Sequence, residues 1–137
     1  MNHEILSLLA AGASLPALNL TGRKRRSSVM RIGMVIGMHP DRISAYEALH
    51  AASNAGVRDL LTKYHMRNFS IFLHQLDNGR YYLFGYYEYT GRDYEGDMAK
   101  LAAEPRNREW LRTTDPMQSP LPGEKSWSIM REVYYNP

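Results

Sequence analysis

The 137-residue chain contains no cysteine. Disulfides, thiolate nucleophiles and cysteine-ligated metals are thereby excluded. The absence fits a reducing compartment, and a cytoplasmic location is expected. No stretch is long and apolar enough to read as a membrane span. Residues Ile5 to Leu18 include an apolar run like that of a secretory signal, but the basic cluster follows the run instead of preceding it, which argues against a signal. Also missing are G-x-S-x-G, a Walker loop, a dinucleotide-binding glycine pattern and H-E-x-x-H. Nucleophilic, nucleotide-driven and zinc chemistry therefore have no motif to rest on.

An excess of one charge is missing from most of the chain, despite its net +3. Residues 1–29 hold Arg23, Lys24, Arg25 and Arg26 against Glu4 alone, that is four of seventeen cations and one of fourteen anions, so the rest carries thirteen of each. A nucleic-acid footprint needs a basic face on the folded part. None is indicated, and neither nucleic acid nor membrane is expected as a partner. Residues 1–29 read as a poorly ordered N-terminal extension, with Gly22 to Ser28 as a turn-like linker. Residues 30–137 are the size of one domain.

What is present is a patterned domain in which 44% of residues are hydrophobic. Arg31 to Met38 alternates as a strand. Pro40-Asp41 then starts a helix. Ile43, Tyr46, His50, Ser53, Val57, Leu60, Leu61 and Tyr64 continue at steps of three and four, which predicts a helix to about Tyr64. Gly56 weakens it and marks a place for a bend or short break. Asn68 to Leu76 and Tyr81 to Thr90 read as strands joined by the turn Asp77-Asn78-Gly79-Arg80. Tyr94 to Glu104 and Pro105 to Thr114 read as helices. Asp115 to Lys125, with three prolines and a glycine, reads as a loop, and Trp127 to Tyr135 as the last strand.

This order is that of the α+β, ferredoxin-like split βαβ arrangement, a four-stranded antiparallel sheet with helices on one face. The central hairpin is apolar and aromatic on both faces. One layer of helices covers only one of them, so a second copy of the chain is expected against the other, making a dimeric α+β barrel.

Among the histidines, His3, His39, His65 and His74 lie in the tail, a turn, a helix end and a strand. No two fall at metal-ligand spacing, and no metal is expected. His50 differs, because it sits on the apolar stripe one turn after Tyr46, and an i, i+4 pair shares a side. Such a pair is either satisfied within the core or lines a pocket. The pattern alone favours the first. The second would suit proton transfer near neutral pH. Tyr46, Phe69, Tyr81, Tyr87, Trp110 and Trp127 supply aromatic surface, either for packing or for the apolar face of a sugar ring. Asp115 could hold a hydroxyl or simply cap the short helix.

Taken in order, Pro40-Asp41, Tyr46-x-x-x-His50, Arg67-Asn68-Phe69-Ser70-Ile71-Phe72-Leu73, Trp110 with Thr114-Asp115, and the closing Glu132-Val133-Tyr134-Tyr135-Asn136-Pro137 resemble the L-rhamnose mutarotase family across nearly all of residues 30–137. The resemblance implies a cofactor-free homodimer that interconverts the α and β anomers of L-rhamnose or a related deoxy sugar. It implies His50 as the acid–base residue and Tyr46 as a substrate-binding partner, with Phe69 where a family tyrosine contacts sugar and Trp110 carried over; Glu109 and Asp115 are further substrate-binding candidates. Three positions depart. Phe69 stands where the family commonly has tyrosine, Glu109-Trp110 where it often has two tryptophans, and Asn54-Ala55 where it tends to have Trp-Pro. These departures imply a related but different sugar. Two other readings share the scaffold: a non-catalytic sugar-binding dimer, and another cofactor-free enzyme such as a monooxygenase or lyase.

Overall fold

A computed structural model describes residues 29–137. The extension read over residues 1–29 lies, apart from Val29, outside the described residues. The elements run β1 (Met30–Met38), a 3-10 turn (Pro40–Arg42), α1 (Ile43–Leu49), α2 (Arg58–Lys63), β2 (Met66–Gln75), β3 (Tyr81–Tyr89), α3 (Tyr94–Ala103), α4 (Pro105–Thr114), a 3-10 turn (Asp115–Met117), β4 (Gln118–Ser119) and β5 (Ser128–Met130). The sheet is antiparallel in the order β2-β3-β1, with β4 and β5 both pairing the far edge of β1. This is the expected split βαβ order, with the last strand divided in two.

The alternation of β1 and β3 decides which face is buried. Ile32, Met34, Ile36 and Met38 are buried, as are Leu83, Tyr87 and Tyr89 opposite them. Val57 and Leu60 of the α2 region and Met98 and Leu101 of α3 pack against the first part of this face, and Tyr46 of α1 against the second. The helices thus share one side of the sheet. On the other side Phe72 is 63% exposed, while Val35, Tyr82, Phe84 and Tyr86 are half-buried. The aromatic character expected of both faces is therefore present.

The hairpin forms as its residues require. Gly79 takes φ +77, Leu76 N donates to Arg80 O at 2.9 Å, and Asn78 Oδ1 accepts from Arg80 N at 2.9 Å. The α3 and α4 boundaries agree with the sequence reading to within one residue. Asp93 caps α3 by accepting from Gly96 N at 3.1 Å.

Three expectations need correction. The single helix to Tyr64 is two helices, separated over residues 50–57. Gly56 has φ +51, outside the helical region, and Asn54 Oδ1 accepts from Gly56 N at 3.2 Å. A side-chain bond of this kind offers the backbone an alternative to the helix. Ser53, placed on the buried stripe, is exposed as a result. The Asp115–Lys125 loop contains β4, whose Gln118 and Ser119 pair with Met38 and Gly37. The last strand pairs over only three residues instead of Trp127 to Tyr135. Beyond Met130, side chains take over from the backbone ladder: Glu132 accepts from Arg31 Nε and Nη2, both at 3.0 Å, and the Arg31 guanidinium lies 3.2 Å from the centre of the Tyr135 ring.

Candidate active site

An open cavity of about 650 Å³ lies between the helix-bearing face of the sheet and α1, α2 and α4. Phe69, Ile71 and Leu73 of β2, with Leu83 and Tyr87 of β3, line its sheet side. Tyr46, His50, Asn107, Thr114, Asp115 and Gln118 bring polar groups to it. Apolar walls with a few converging polar groups are the usual make-up of a small-molecule site.

His50 stands at the end of α1, and its position follows from how that helix stops. The backbone N–H of His50 reaches Tyr46 O at 3.2 Å and Glu47 O at 3.1 Å, closing the last turn. The ring then folds back, with Nδ1 2.7 Å from the same Tyr46 O. A carbonyl only accepts, so Nδ1 carries the proton and Nε2 is the bare nitrogen of the neutral ring. Tyr46 stacks on the imidazole, with centroids 4.1 Å apart at 25°. Trp110 meets it edge-on at 5.2 Å and 70°. Half-burial pushes the His50 pKa below its ordinary value; the bond to Tyr46 O opposes this and the Arg58 cation adds to it. The ring is therefore neutral, and able to accept a proton, at neutral pH.

The Tyr46 hydroxyl is buried and accepts from Gln118 Nε2 at 3.1 Å. Burial pushes its pKa up to about 12, against the Gln118 bond and with help from the Asp115 carboxylate. The phenol stays protonated and can donate to a bound oxygen.

The structure brings Tyr46, His50, Phe69, Trp110 and Asp115 to one cavity. Phe69 stacks on Tyr87 with centroids 5.1 Å apart. Glu109 is not brought there. It is exposed and accepts from Arg112 Nη1 at 2.6 Å, because one residue's step around α4 turns it away from the Trp110 side. Asn54 does line the cavity. Among the described residues no group of three His, Asp or Glu side chains could hold a metal ion, and no helix is long and apolar enough to cross a membrane.

Sequence reasoning missed Asn107, Thr114 and Gln118. Asn107 is buried, and its Nδ2 donates to Leu101 O at 3.2 Å. A signal for it existed, since Asn107, Trp110 and Thr114 share one stripe of α4. Gln118 carried none, sitting between two prolines in what read as a loop.

Fold and cavity together define a small α+β domain of split βαβ topology whose cavity is lined by a histidine–tyrosine pair. A family model described as L-rhamnose mutarotase matches residues 31–136. The chain belongs to the L-rhamnose mutarotase family. The crystal structure of an L-rhamnose mutarotase from Formosa agariphila is similar in fold, with a TM-score of 0.58 at 18% identity, covering 79% of this chain and 99% of that one. No curated protein matches the chain in sequence. The activity that goes with the family is the interconversion of sugar anomers, an isomerase reaction. Nothing in these matches favours the monooxygenase, lyase or non-catalytic readings.

Proposed function

We propose that the α1–α4 cavity is where a sugar ring opens and recloses, with His50 as the group that moves the proton. The observation that carries this reading is the 2.7 Å approach of His50 Nδ1 to Tyr46 O: a carbonyl only accepts, so the proton belongs on Nδ1 and Nε2 is bare for substrate. Nε2 takes the proton from the anomeric hydroxyl. As the C1=O double bond forms, the bond from C1 to the ring oxygen breaks. The imidazolium returns the proton to that oxygen. Rotation about C1–C2 presents the other face of the carbonyl, and the same steps in reverse close the ring. Nothing is consumed, and one group that both takes and gives a proton suffices.

Tyr46 donates to a sugar oxygen, Asp115 accepts from a hydroxyl at the rim, and Trp110 and Phe69 cover apolar ring surface. The substrate is L-rhamnose or a related deoxy sugar. Phe69 offers no hydroxyl and Asn54 brings an amide, which supports a preference other than L-rhamnose itself.

Saturation-transfer NMR of anomeric exchange across a panel of 6-deoxy and ordinary hexoses tests the assignment. His50→Ala is expected to slow enzymatic exchange by roughly 10²–10⁴-fold, the usual contribution of general acid–base catalysis. Wild-type exchange no faster than that of His50→Ala on every sugar would sink it.

The working form is a homodimer in the cytoplasm. What supports the dimer is the uncovered sheet face, where Phe72 is 63% exposed beside Phe84, Val35 and Tyr86; surfaces of this kind mark interaction sites. Sedimentation of the wild type as a monomer at micromolar concentration would refute the dimer, and Phe72→Lys is expected to weaken it. The absence of cysteine supports the location.

A further inference from the structure

The connection between α1 and α2 is anchored by one side chain. A helix that stops leaves carbonyls without partners. Here the carbonyls of three successive residues meet one side chain. Arg58 Nη2 donates to His50 O at 2.9 Å and to Ala51 O at 3.1 Å, and its Nη1 donates to Ala52 O at 3.3 Å. A planar guanidinium is built for such multiple contacts, and an ammonium is not.

The placement makes little sense for α2 itself. Arg58 is the first residue of that helix, where a cation opposes the helix dipole. Turned back, it lies at the C-terminal end of α1, where the dipole favours it. It also lines the cavity. The residue at its shortest contact is His50, whose ring Nδ1 lies 2.7 Å from Tyr46 O. The backbone of His50 is therefore held from one side by Arg58 and its ring from the other by α1.

We propose that Arg58 is a positioning residue for His50, fixing the helix end so that the imidazole stands in the cavity between Tyr46 and Trp110. The proposal rests on the reading of His50 as the proton-transfer group. Arg58 does not touch the reacting atoms. It acts through geometry, where small misplacements cost large factors in rate, and through charge, since a nearby cation disfavours imidazolium. Other titratable groups on the cavity are Tyr46 and Glu47 of α1, Arg67 of β2, Tyr87 of β3 and Asp115 after α4.

The test compares Arg58→Ala, Arg58→Gln and Arg58→Lys in the full chain. Two quantities are read: anomeric exchange at saturating and limiting sugar, and the His50 midpoint by NMR titration without sugar. Arg58→Ala is expected to lower kcat on the order of tenfold with KM changed less than about twofold, and to raise the midpoint. Arg58→Gln keeps a donor without charge and raises the midpoint too. Arg58→Lys keeps the charge, holds the midpoint near wild type and recovers part of kcat. Wild-type kcat and an unmoved midpoint in Arg58→Ala overturn the proposal. If that variant does not fold, an unmoved midpoint in Arg58→Gln overturns it. The titration needs no activity, so a wild type that exchanges no sugar refutes the mutarotase reading while the midpoint still decides the role of Arg58.

Discussion

Tyr46 and Tyr89 are both buried, both on the helix side of the sheet, and both held by side-chain hydrogen bonds. They differ in what the hydroxyl faces. The Tyr89 hydroxyl donates to Asp97 Oδ2 at 2.5 Å and accepts from Asp93 N at 3.1 Å. The Tyr46 hydroxyl accepts from Gln118 Nε2 at 3.1 Å, and both residues line the cavity. The first is a closed unit that ties α3 to β3. The second lies on the cavity lining, where on the proposed reading it donates to a ligand oxygen. Burial does not separate the two tyrosines, but their surroundings do: Tyr46 lines the cavity and Tyr89 does not.

Removing each hydroxyl should separate the two roles. Tyr46→Phe is expected to reduce kcat/KM for sugar exchange roughly tenfold to a hundredfold, the factor that goes with one lost hydrogen bond of about 1–3 kcal/mol, while the denaturation midpoint falls less than in Tyr89→Phe, because the bond lost to Gln118 joins neutral groups. Tyr89→Phe should do the reverse, costing about 1–3 kcal/mol of stability because the Asp97 carboxylate loses its donor, with exchange unchanged. Exchange kinetics and urea denaturation on both variants check this. Equal effects on rate, or on stability, would erase the distinction.

Two glycines extend the comparison from side chains to backbone. Gly56 and Gly79 both have positive φ, +51 and +77. A Cβ on Gly79 would meet nothing within 4 Å, whereas one on Gly56 would lie 3.1 Å from two ring carbons of Trp110. Gly79→Ala should therefore cost about 1 kcal/mol of backbone strain and leave exchange alone. Gly56→Ala should cost that and also push Trp110 off His50, lowering kcat/KM several-fold, on the order of the 1 kcal/mol that one aromatic contact is worth. The Trp110 indole N–H resonance reports the displacement. An unmoved resonance with a wild-type rate would show that Trp110 is not held by this contact.

These residues also show what a sequence discloses. The hairpin was legible because Asn78 and Gly79 are the residue types that a turn with positive φ selects. The alternation of β3 and the limits of α4 were legible from period and punctuation. The break after Leu49 was only half legible. Gly56 marked the place, but Ala51, Ala52 and Ser53 are compatible with a helix, and what stops it is tertiary: Arg58 reaching back to three carbonyls and Trp110 lying over Gly56. In the site, periodicity set Tyr46 beside His50, residue type offered Phe69, Trp110 and Asp115, and the family resemblance gave His50 and Tyr46 their expected roles. Gln118 was hidden because its partner is 72 positions away. Glu109 was read into the site as the neighbour of Trp110, yet neighbours on a helix face different ways.

The smallest expected effect is on pH, and its sign follows from His50. Its folded pKa is lowered, by burial first and by Arg58 second, with the Tyr46 carbonyl opposing. The unfolded chain titrates near the ordinary histidine value of about 6.5. Between the lowered folded value and 6.5 the unfolded state binds more protons, so stability rises with pH there. The contribution is fully present above about 6.5 and is lost as pH falls through the folded value. On the proposed mechanism the same titration governs the rate, since Nε2 must be bare to take the anomeric proton. Enzymatic exchange, after subtraction of the uncatalysed rate, should be flat through neutrality and fall only below the ordinary histidine range. Tyr46, at about 12, adds no alkaline limb below pH 10. His50→Gln should abolish this part of the pH dependence of stability, read as urea midpoints at pH 5 and 7.5. Tyr89→Phe should leave it intact, because the hydroxyl it removes has its pKa raised, by burial and then by Asp97, and titrates only in alkali. A His50→Gln variant with the wild-type difference between the two pH values would place the acid sensitivity elsewhere in the fold and remove the thermodynamic support for a neutral His50.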